Sequence, residues 1–421
     1  MTQHATLSAS GAPGWMRCHG KLAMEKPFPN TSSAYADEGT AAHEVAQMCL
    51  EQNQDASAFA GRVITVARGE GAQKTERKFT VDEEMVENVQ KYVDIVRGLG
   101  GELMVEQRVD FSRWIGVDDS FGTSDAVIVW PEQQEIAVVD LKYGRGVAVS
   151  AEENEQAQLY ACGTLDLLSL AYDVEDDWQV RLMIVQPRIG NVSEWTLSVG
   201  QLKDFAARAS VAARHAIHQY DGKAEPKLTP GEKQCRFCRA KAVCPALAAE
   251  VEDAVTEAVQ VTDFDDLSVE QIDCGLAAAG GNKLGRAMSK IDLVEQWCKA
   301  VRAETERRLL AGAEVPGFKL VQGRRGARAW ANKDEAEAAL KAMRLKAEQM
   351  YDMSLVSPTT AEKLAKAGAI GPRQWAKVQE LIVQPEGKAS VAPADDKRPA
   401  LTLAASADDF DVVEDAATDL A

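Results

Sequence analysis

Residues 121–160 read FGTSDAVIVW PEQQEIAVVD LKYGRGVAVS AEENEQAQLY, and the fold turns on how this stretch is read. Two apolar, β-branched runs, Ala126–Trp130 and Ile136–Val139, flank the short polar turn Pro131–Glu135. That pattern predicts an antiparallel hairpin. Each strand carries one carboxylate in apolar surroundings: Asp125 at the start of the first, Asp140 at the end of the second. Lys142 follows two residues after Asp140, and strand residues i and i+2 project from one face, so the two point together. A hairpin can bring Asp125 beside them. Two close carboxylates do not both stay ionised cheaply without a cation between them. A hard divalent metal with oxygen ligands answers that problem. Either aspartate alone reads as a turn or cap residue; Asp-x-Lys closing a hydrophobic strand, one hairpin from a second Asp, reads as a site.

Outward from the hairpin, residues 32–52 read as a helix capped by Ser32 or Ser33, with His43 one residue from its apolar stripe. A histidine in that position is by itself usually only packed and hydrogen-bonded. Residues 53–80 read as a polar excursion, 82–98 as a strong amphipathic helix ended by Gly98, Gly100 and Gly101, and Glu102–Val109 as a strand. After the hairpin come a helix over 151–171, strands Val180–Gln186 and Val192–Ser198, and a helix over 200–220. Sequential strands with helices packing back predict an α/β fold, a mixed sheet with helices on its faces. Gln156 and Tyr160, four apart, share one face of their helix.

Beyond Tyr220 a turn-rich linker leads into CRFCRAKAVCPAL. Cys235-x2-Cys238-x5-Cys244-Pro has the density of a soft-metal site, either zinc or an iron–sulfur cluster. Cys18, flanked by Trp15, Met16 and Arg17, is the candidate fourth ligand; it would clamp the start of the domain to its end. Cys49, Cys162, Cys274 and Cys298 stand singly in apolar, helical surroundings and read as small buried hydrophobes. Residues 250–312 and 333–383 read as helical, and from Pro385 onward the chain reads as disordered. Lys319, Arg324, Arg325 and Arg328 with Trp330 could contact a nucleic-acid backbone, or form only a solvated turn. The domain reading is therefore 1–250, a helical C-terminal domain over 251–384, and an acidic tail over 385–421.

The chain has 421 residues, 46% hydrophobic and 27% charged, an ordinary globular balance. A net charge of −18 argues against a generally basic protein that coats nucleic acid, though not against a nuclease with a locally basic groove. Asp408, Asp409, Asp411, Glu414, Asp415 and Asp419 hold part of that excess. The absence of a basic, apolar leader and of a bilayer-length apolar run predicts a cytoplasmic protein with no membrane partner.

His43, Asp125, Asp140-x-Lys142 and Gln156-x-x-x-Tyr160 occur in the order found in RecB-like nucleases of the PD-(D/E)XK superfamily, which this chain resembles. One N-terminal and three C-terminal cysteines resemble the iron–sulfur clamp of the AddB and CRISPR-associated exonuclease branch. LSASGAPGWMRCHGKLAMEK and EGTAAHE resemble an uncharacterised phage and prophage family with the same core. Two departures stand out: Ser124-Asp125 replaces Pro-Asp, and Asp140 stands where many members have Glu.

The resemblance implies a restriction-endonuclease-like core and a metal-dependent DNA exonuclease that processes DNA ends in recombination or replication of a phage or prophage in a bacterial host. Asp125 and Asp140 would ligate Mg²⁺ or Mn²⁺, helped by His43 and the Leu141 carbonyl. Lys142 would orient or help deprotonate the attacking water; Gln156 and Tyr160 would position the strand. Glu106 is a weaker outer candidate. Cys18, Cys235, Cys238 and Cys244 would hold a [4Fe–4S] cluster, with Zn²⁺ as the alternative. A single-strand annealing or binding protein is the partner implied by analogy. The rival reading is a non-catalytic DNA-binding or scaffold module on a nuclease fold, against which the intact His43, Asp125, Asp140 and Lys142 count.

Overall fold

The hairpin forms the middle of a five-stranded sheet in the computed structural model, which describes residues 5–28, 34–68, 75–258, 281–321, 333–343, 351 and 356–382. Its strands are β3 (Glu102–Asp110), β4 (Phe121–Trp130), β5 (Glu135–Leu141), β6 (Gln179–Gln186) and β7 (Asn191–Ser198), lying in that spatial order. All neighbours are antiparallel except β5 and β6, which run parallel. That one parallel pair needs a crossover, supplied by helix α6 (Glu155–Leu168). The sheet is therefore mixed and flanked by helices, as the alternation of strands and helices predicts.

Each face of the sheet buries its own core. Val127, Val129, Ile136, Val138 and Leu182 pack under α6 and α7 (Val199–Tyr220), with Leu7 and Trp15 from the N-terminal segment. The Trp15 indole donates to the Ser8 carbonyl at 3.1 Å, so its one polar atom is satisfied in the core. On the other face Ala126, Ile128, Ala137, Val139 and Leu141 pack under α3 (Ala34–Gln52) and α4 (Glu83–Leu99). Full burial of each such large apolar side chain contributes about 1.5–3 kcal/mol. Asp82 caps α4 by accepting from the Met85 amide at 2.8 Å, an arrangement worth about 1 kcal/mol.

The stretch read as a polar excursion contains an antiparallel ribbon, β1 (Val63–Arg68) and β2 (Thr75–Thr80). Its apolar content is slight: Ile64 and Val66 are its buried side chains, and β2 reads TERKFT. An alternation two residues deep leaves little period to detect.

The cysteine-rich segment contains α8 (Glu232–Arg236) and leads into α9 (Pro245–Ala258). Leu293, Val294 and Trp297 of α10 (Gly281–Leu310) pack with Cys235, Cys244, Leu247 and Val251. The sequence reading gave α10 to a separate helical domain. By its contacts the chain divides into units Met1–Val321 and Gln322–Ala421. The second unit contains α11 (Lys333–Ala342), α12 (Pro358–Lys366) and α13 (Pro372–Gln379). Ser357 caps α12, accepting from the Thr360 amide at 3.1 Å, and Pro358 opens the helix where its missing N–H costs nothing. Arg324, Arg325, Arg328, Trp330, Cys274 and the tail over 385–421 lie outside the described residues. Among the described residues no helix is long and apolar enough to cross a membrane.

Candidate metal centre

Three adjacent strands bring a carboxylate each to one level of the sheet. The β4–β5 ladder ends at Ala126 paired with Val139, so Asp125 and Asp140 stand one step beyond, across from each other. The β3–β4 ladder pairs Val105 with Ala126 and Gln107 with Ser124 and omits the pair between them, Glu106 and Asp125. Glu106 has a φ of 46°, left-handed backbone that a non-glycine residue adopts at a cost. Such strain collects where the surroundings over-determine it, often at functional sites.

Helices deliver the remaining groups. His43 of α3 places Nδ1 2.8 Å from Asp125 Oδ1, and the Leu141 amide donates to Asp125 Oδ2 at 2.7 Å. Gln156 sits in the first turn of α6, whose start is fixed by the Asn154 side chain accepting from the Ala157 amide at 3.0 Å. Lys142 Nζ donates to Asp140 Oδ1 at 3.1 Å and to Gln156 Oε1 at 3.0 Å. Gln156 Nε2 reaches Asp140 Oδ1 at 3.2 Å and the Tyr160 hydroxyl at 3.1 Å. Gly122 on β4 makes room for Tyr160: a Cβ there would lie 2.5 Å from its ring. The structure thus brings His43, Asp125, Asp140, Lys142, Gln156 and Tyr160 into one hydrogen-bonded neighbourhood.

The electrostatics are those of a crowded acidic site. Burial pushes the Asp140 carboxyl up, and Asp125 adds to it against the pull of Lys142. Burial and the Asp125 charge push Glu106 up to about 7. Burial opposes a charged His43, yet Asp125 and Asp140 outweigh it and hold the imidazole above its ordinary value. Asp140 Oδ2 is buried and accepts no hydrogen bond; the Lys142 ammonium lies 2.9 Å away as an ion pair, outside hydrogen-bond geometry. His43, Glu106 and Asp125 each offer a ligand atom, and these lie within 4.8 Å of one another. A clustered set of carboxylate oxygens and an imidazole nitrogen, with one buried carboxylate oxygen that accepts no hydrogen bond, suits a hard divalent cation.

Residues 4–399 match the family described as "Protein of unknown function (DUF2800)". The chain belongs to that family. A solved structure described as "Crystal structure of SSO0001" is similar at 13% identity, with a TM-score of 0.26, over 58% of this chain and 89% of that chain. A likeness of that degree bears on neither the fold nor the activity of this DUF2800 member.

The four cysteines of the second constellation come from segments far apart in sequence, one near residue 18 and three over 235–244. Cys18 follows α1 (Ala12–Trp15) and its Sγ accepts from the Thr229 amide at 3.4 Å. Cys235 lies on α8, and Cys238 and Cys244 flank a single 3-10 turn. All four carry free thiols. Burial raises the pKa of Cys18 and Cys235, and each is raised further by other members of the set: Cys18 by Cys244, Cys235 by both. Burial and Glu25 push Cys238 up to about 12, with a smaller contribution from Cys235. Among the described residues no three cysteine sulfurs lie as close together as the ligand atoms of the His43 group. Cys49 and Cys162 are buried singly, whereas Cys298 is half-buried.

Two residues escape the sequence reading in whole or part. Glu106 ranks there only as an outer candidate; no local pattern announces its left-handed backbone or the skipped ladder pair. Tyr92 of α4 is not singled out in the sequence at all. Its hydroxyl is fully buried without a partner, and Asp125, Asp140 and Glu106 all raise its pKa beyond the effect of burial. A buried hydroxyl without a partner calls for an explanation, and one facing acidic groups can donate to a water held among them.

Proposed function

We propose that this chain is a metal-dependent deoxyribonuclease with a PD-(D/E)XK-type core, acting on DNA ends in phage or prophage recombination or replication. The observation that carries the reading is the meeting of two hydrogen-bonded sets at one end of the sheet: His43 with Asp125, which also accepts from the Leu141 amide, and Asp140 with Lys142, Gln156 and Tyr160, Asp140 and Lys142 standing on either side of Leu141 in the chain. His43, Glu106, Asp125 and Asp140 would hold Mg²⁺ or Mn²⁺, with the Leu141 carbonyl beside them. When bound, the cation polarises the scissile phosphate and offsets the charge that gathers on it. Lys142, held by Asp140 and Gln156, orients the attacking water opposite the leaving oxygen. Gln156 and the Tyr160 hydroxyl donate to the phosphate or sugar and fix the strand for in-line attack.

Cys18, Cys235, Cys238 and Cys244 fit a thiolate-bound metal because all four are free and sense one another's charge. A tetrahedral zinc with Zn–S near 2.3 Å needs sulfurs about 3.8 Å apart. Thiolates also hold iron–sulfur clusters, and the resemblance makes a [4Fe–4S] cluster the preferred reading, with Zn²⁺ as the alternative. Its task is structural, closing the N-terminal segment onto the cysteine loop.

The test is incubation of purified protein with end-labelled linear DNA and with closed circular DNA, in Mg²⁺, Mn²⁺ or EDTA. The expected result is metal-dependent loss of the linear substrate with the circle spared. Cleavage of both substrates would make the enzyme an endonuclease, and cleavage of neither would end the reading.

A further inference from the structure

We propose that the cysteine loop is a contact for single-stranded DNA, with Phe237 as a stacking platform and Lys233 and Arg236 as its phosphate contacts; this deepens the nuclease reading and rests on it. Phe237 lies between Cys235 and Cys238, directly after α8, and is 81% exposed. Burying such a ring ordinarily contributes about 1.5–3 kcal/mol, so a fold that leaves it in solvent forgoes that gain.

The ring is held out on a firm base. Cys235 and Ala240 on either side are buried, and the Cys238 amide donates to the Cys235 carbonyl at 3.0 Å. Lys241 Nζ closes the loop on the Arg236 carbonyl at 2.7 Å. The Arg239 amide donates to Glu25 Oε1 at 2.8 Å, and its guanidinium to the Phe28 carbonyl at 2.7 Å. Arg239 and Lys241 are thus spent on anchoring. Lys233 and Arg236 are left exposed on α8, three apart and therefore on one face, with the Arg236 guanidinium 5.8 Å from the Phe237 ring centre.

The charge is local and opposite to that of the molecule. Residues 232–243 carry four basic groups, Lys233, Arg236, Arg239 and Lys241, against one acidic group, Glu232, in a chain of net charge −18. A ring beside a guanidinium, with a second cation on the same helix, matches an unpaired base flanked by phosphates. In an intact duplex the base faces are already covered, so the ring selects a single strand or a frayed end. One aromatic without a broad apolar surround is too small for a stable protein interface.

The loop is also tied to the candidate centre. Cys18 contacts the loop's approach through Thr229, and the next residue back, Arg17, forms an ion pair with Glu155. Glu155 precedes Gln156, which binds Asp140 and Lys142. The segment leading into the cysteine loop is thus linked to the helix that carries Gln156 through Thr229, Cys18, Arg17 and Glu155.

The test measures binding of the full chain, without added divalent cation, to a fluorescein-labelled single-stranded DNA 20-mer and to the blunt duplex of the same length. Phe237→Ala should weaken single-strand binding roughly 10-fold, the range of one lost base–aromatic stack, while leaving blunt-duplex binding and the melting temperature unchanged. Phe237→Trp should retain affinity and lose indole fluorescence on binding. Lys233→Ala with Arg236→Ala should lower the salt slope of log affinity by about 1.4, two single-strand phosphate contacts. Unaltered single-strand affinity in Phe237→Ala, equal loss for both DNA forms, or no single-strand binding by wild type would each overturn the proposal. Because no cleavage is read, the two readings fail separately. A chain that never cuts DNA yet loses single-strand affinity in Phe237→Ala keeps this surface and loses the nuclease. A chain that cuts DNA and binds the single strand equally in both forms does the reverse.

Discussion

The acidic centre and the cysteine loop are both clusters of would-be ligands, and they are built in opposite ways. At the acidic centre most side chains already hold a neighbour: Asp125 is fixed by His43 and the Leu141 amide, Asp140 and Gln156 by Lys142. These groups ride on strands and helices whose cores form without them. The cysteines have no such mutual bonds. Their thiols are free, with burial raising the pKa of three, and Cys18 is joined to the loop through one weak amide–sulfur contact. One region is organised before its cation arrives; the other has segments distant in sequence that a metal would hold together. Loss of a ligand should therefore cost activity at the first and stability at the second.

The largest expected effect is at the acidic centre. Asp140→Ala or Lys142→Ala should lower DNA cleavage on the order of 10³-fold, the scale of removing a preorganised group at developing charge. DNA binding and thermal melting should stay near wild type. Cleavage assays paired with melting curves check this; wild-type rates in either variant would take these residues out of the mechanism.

At the cysteine loop the order reverses. Cys18→Ser and Cys238→Ser should lose the bound metal and its absorbance near ~400 nm, the region of thiolate-to-iron charge transfer. Opening a loop of this length releases up to about 5 kcal/mol of chain entropy, a fall of roughly 10 °C in melting temperature. Cys49→Ser, a buried thiol outside the set, should retain the metal. Full metal in Cys18→Ser would mean that another residue supplies the fourth ligand.

Glu106 gives a smaller, pH-dependent effect. Its folded carboxyl is raised from 4.5 to about 7. A raised acid contributes its share of stability fully below the unfolded value and loses it as pH climbs through the folded one. At about 1.4 kcal/mol per pKa unit the share is at most about 3.5 kcal/mol, less after solvent screening. Without divalent cation, Glu106→Gln should melt above wild type at pH 8 and equal to it below pH 4.5. Added Mn²⁺ should reverse the order at pH 8, since a carboxylate is the stronger ligand. Parallel melting profiles across that pH range would break the account of Glu106.

Tyr92→Phe is the smallest. Its hydroxyl has no protein partner, so removing it should change the melting temperature of the cation-free protein little, within about 1 kcal/mol. Mn²⁺ affinity should fall a few-fold if the hydroxyl holds a cation-bound water. Unchanged affinity, read by titration calorimetry, would leave Tyr92 a packing residue only.

The same contrast explains what was legible in the sequence. The hairpin, its flanking strands and the long helices announce themselves through β-branched runs and helical periodicity, and their ends fall within a few residues of those expected. His43, Asp125, Asp140, Lys142, Gln156 and Tyr160 each lie in a segment whose secondary structure is readable, so their meeting could be anticipated. Glu106 could not be ranked, because its placement depends on a left-handed residue and a skipped ladder pair that arise only from tertiary pairing. Tyr92 is hidden for another reason: in an amphipathic helix a buried Tyr reads as core, and nothing local shows that its hydroxyl faces carboxylates. The β1–β2 ribbon was lost because Ile64 and Val66 give too short a period. The reading of α10 as part of a separate helical domain follows composition, whereas Leu293, Val294 and Trp297 pack onto the cysteine segment.

The central claim is that the acidic centre binds a divalent cation in order to cut DNA. The most direct measurement is Mn²⁺ binding by titration calorimetry alongside cleavage of end-labelled linear DNA in the same preparations of wild type and Asp125→Asn. Saturable Mn²⁺ binding and metal-dependent cleavage in wild type, both lost in Asp125→Asn, is the predicted result. Cleavage that persists in Asp125→Asn, or wild-type protein that binds Mn²⁺ and leaves DNA intact, would contradict it.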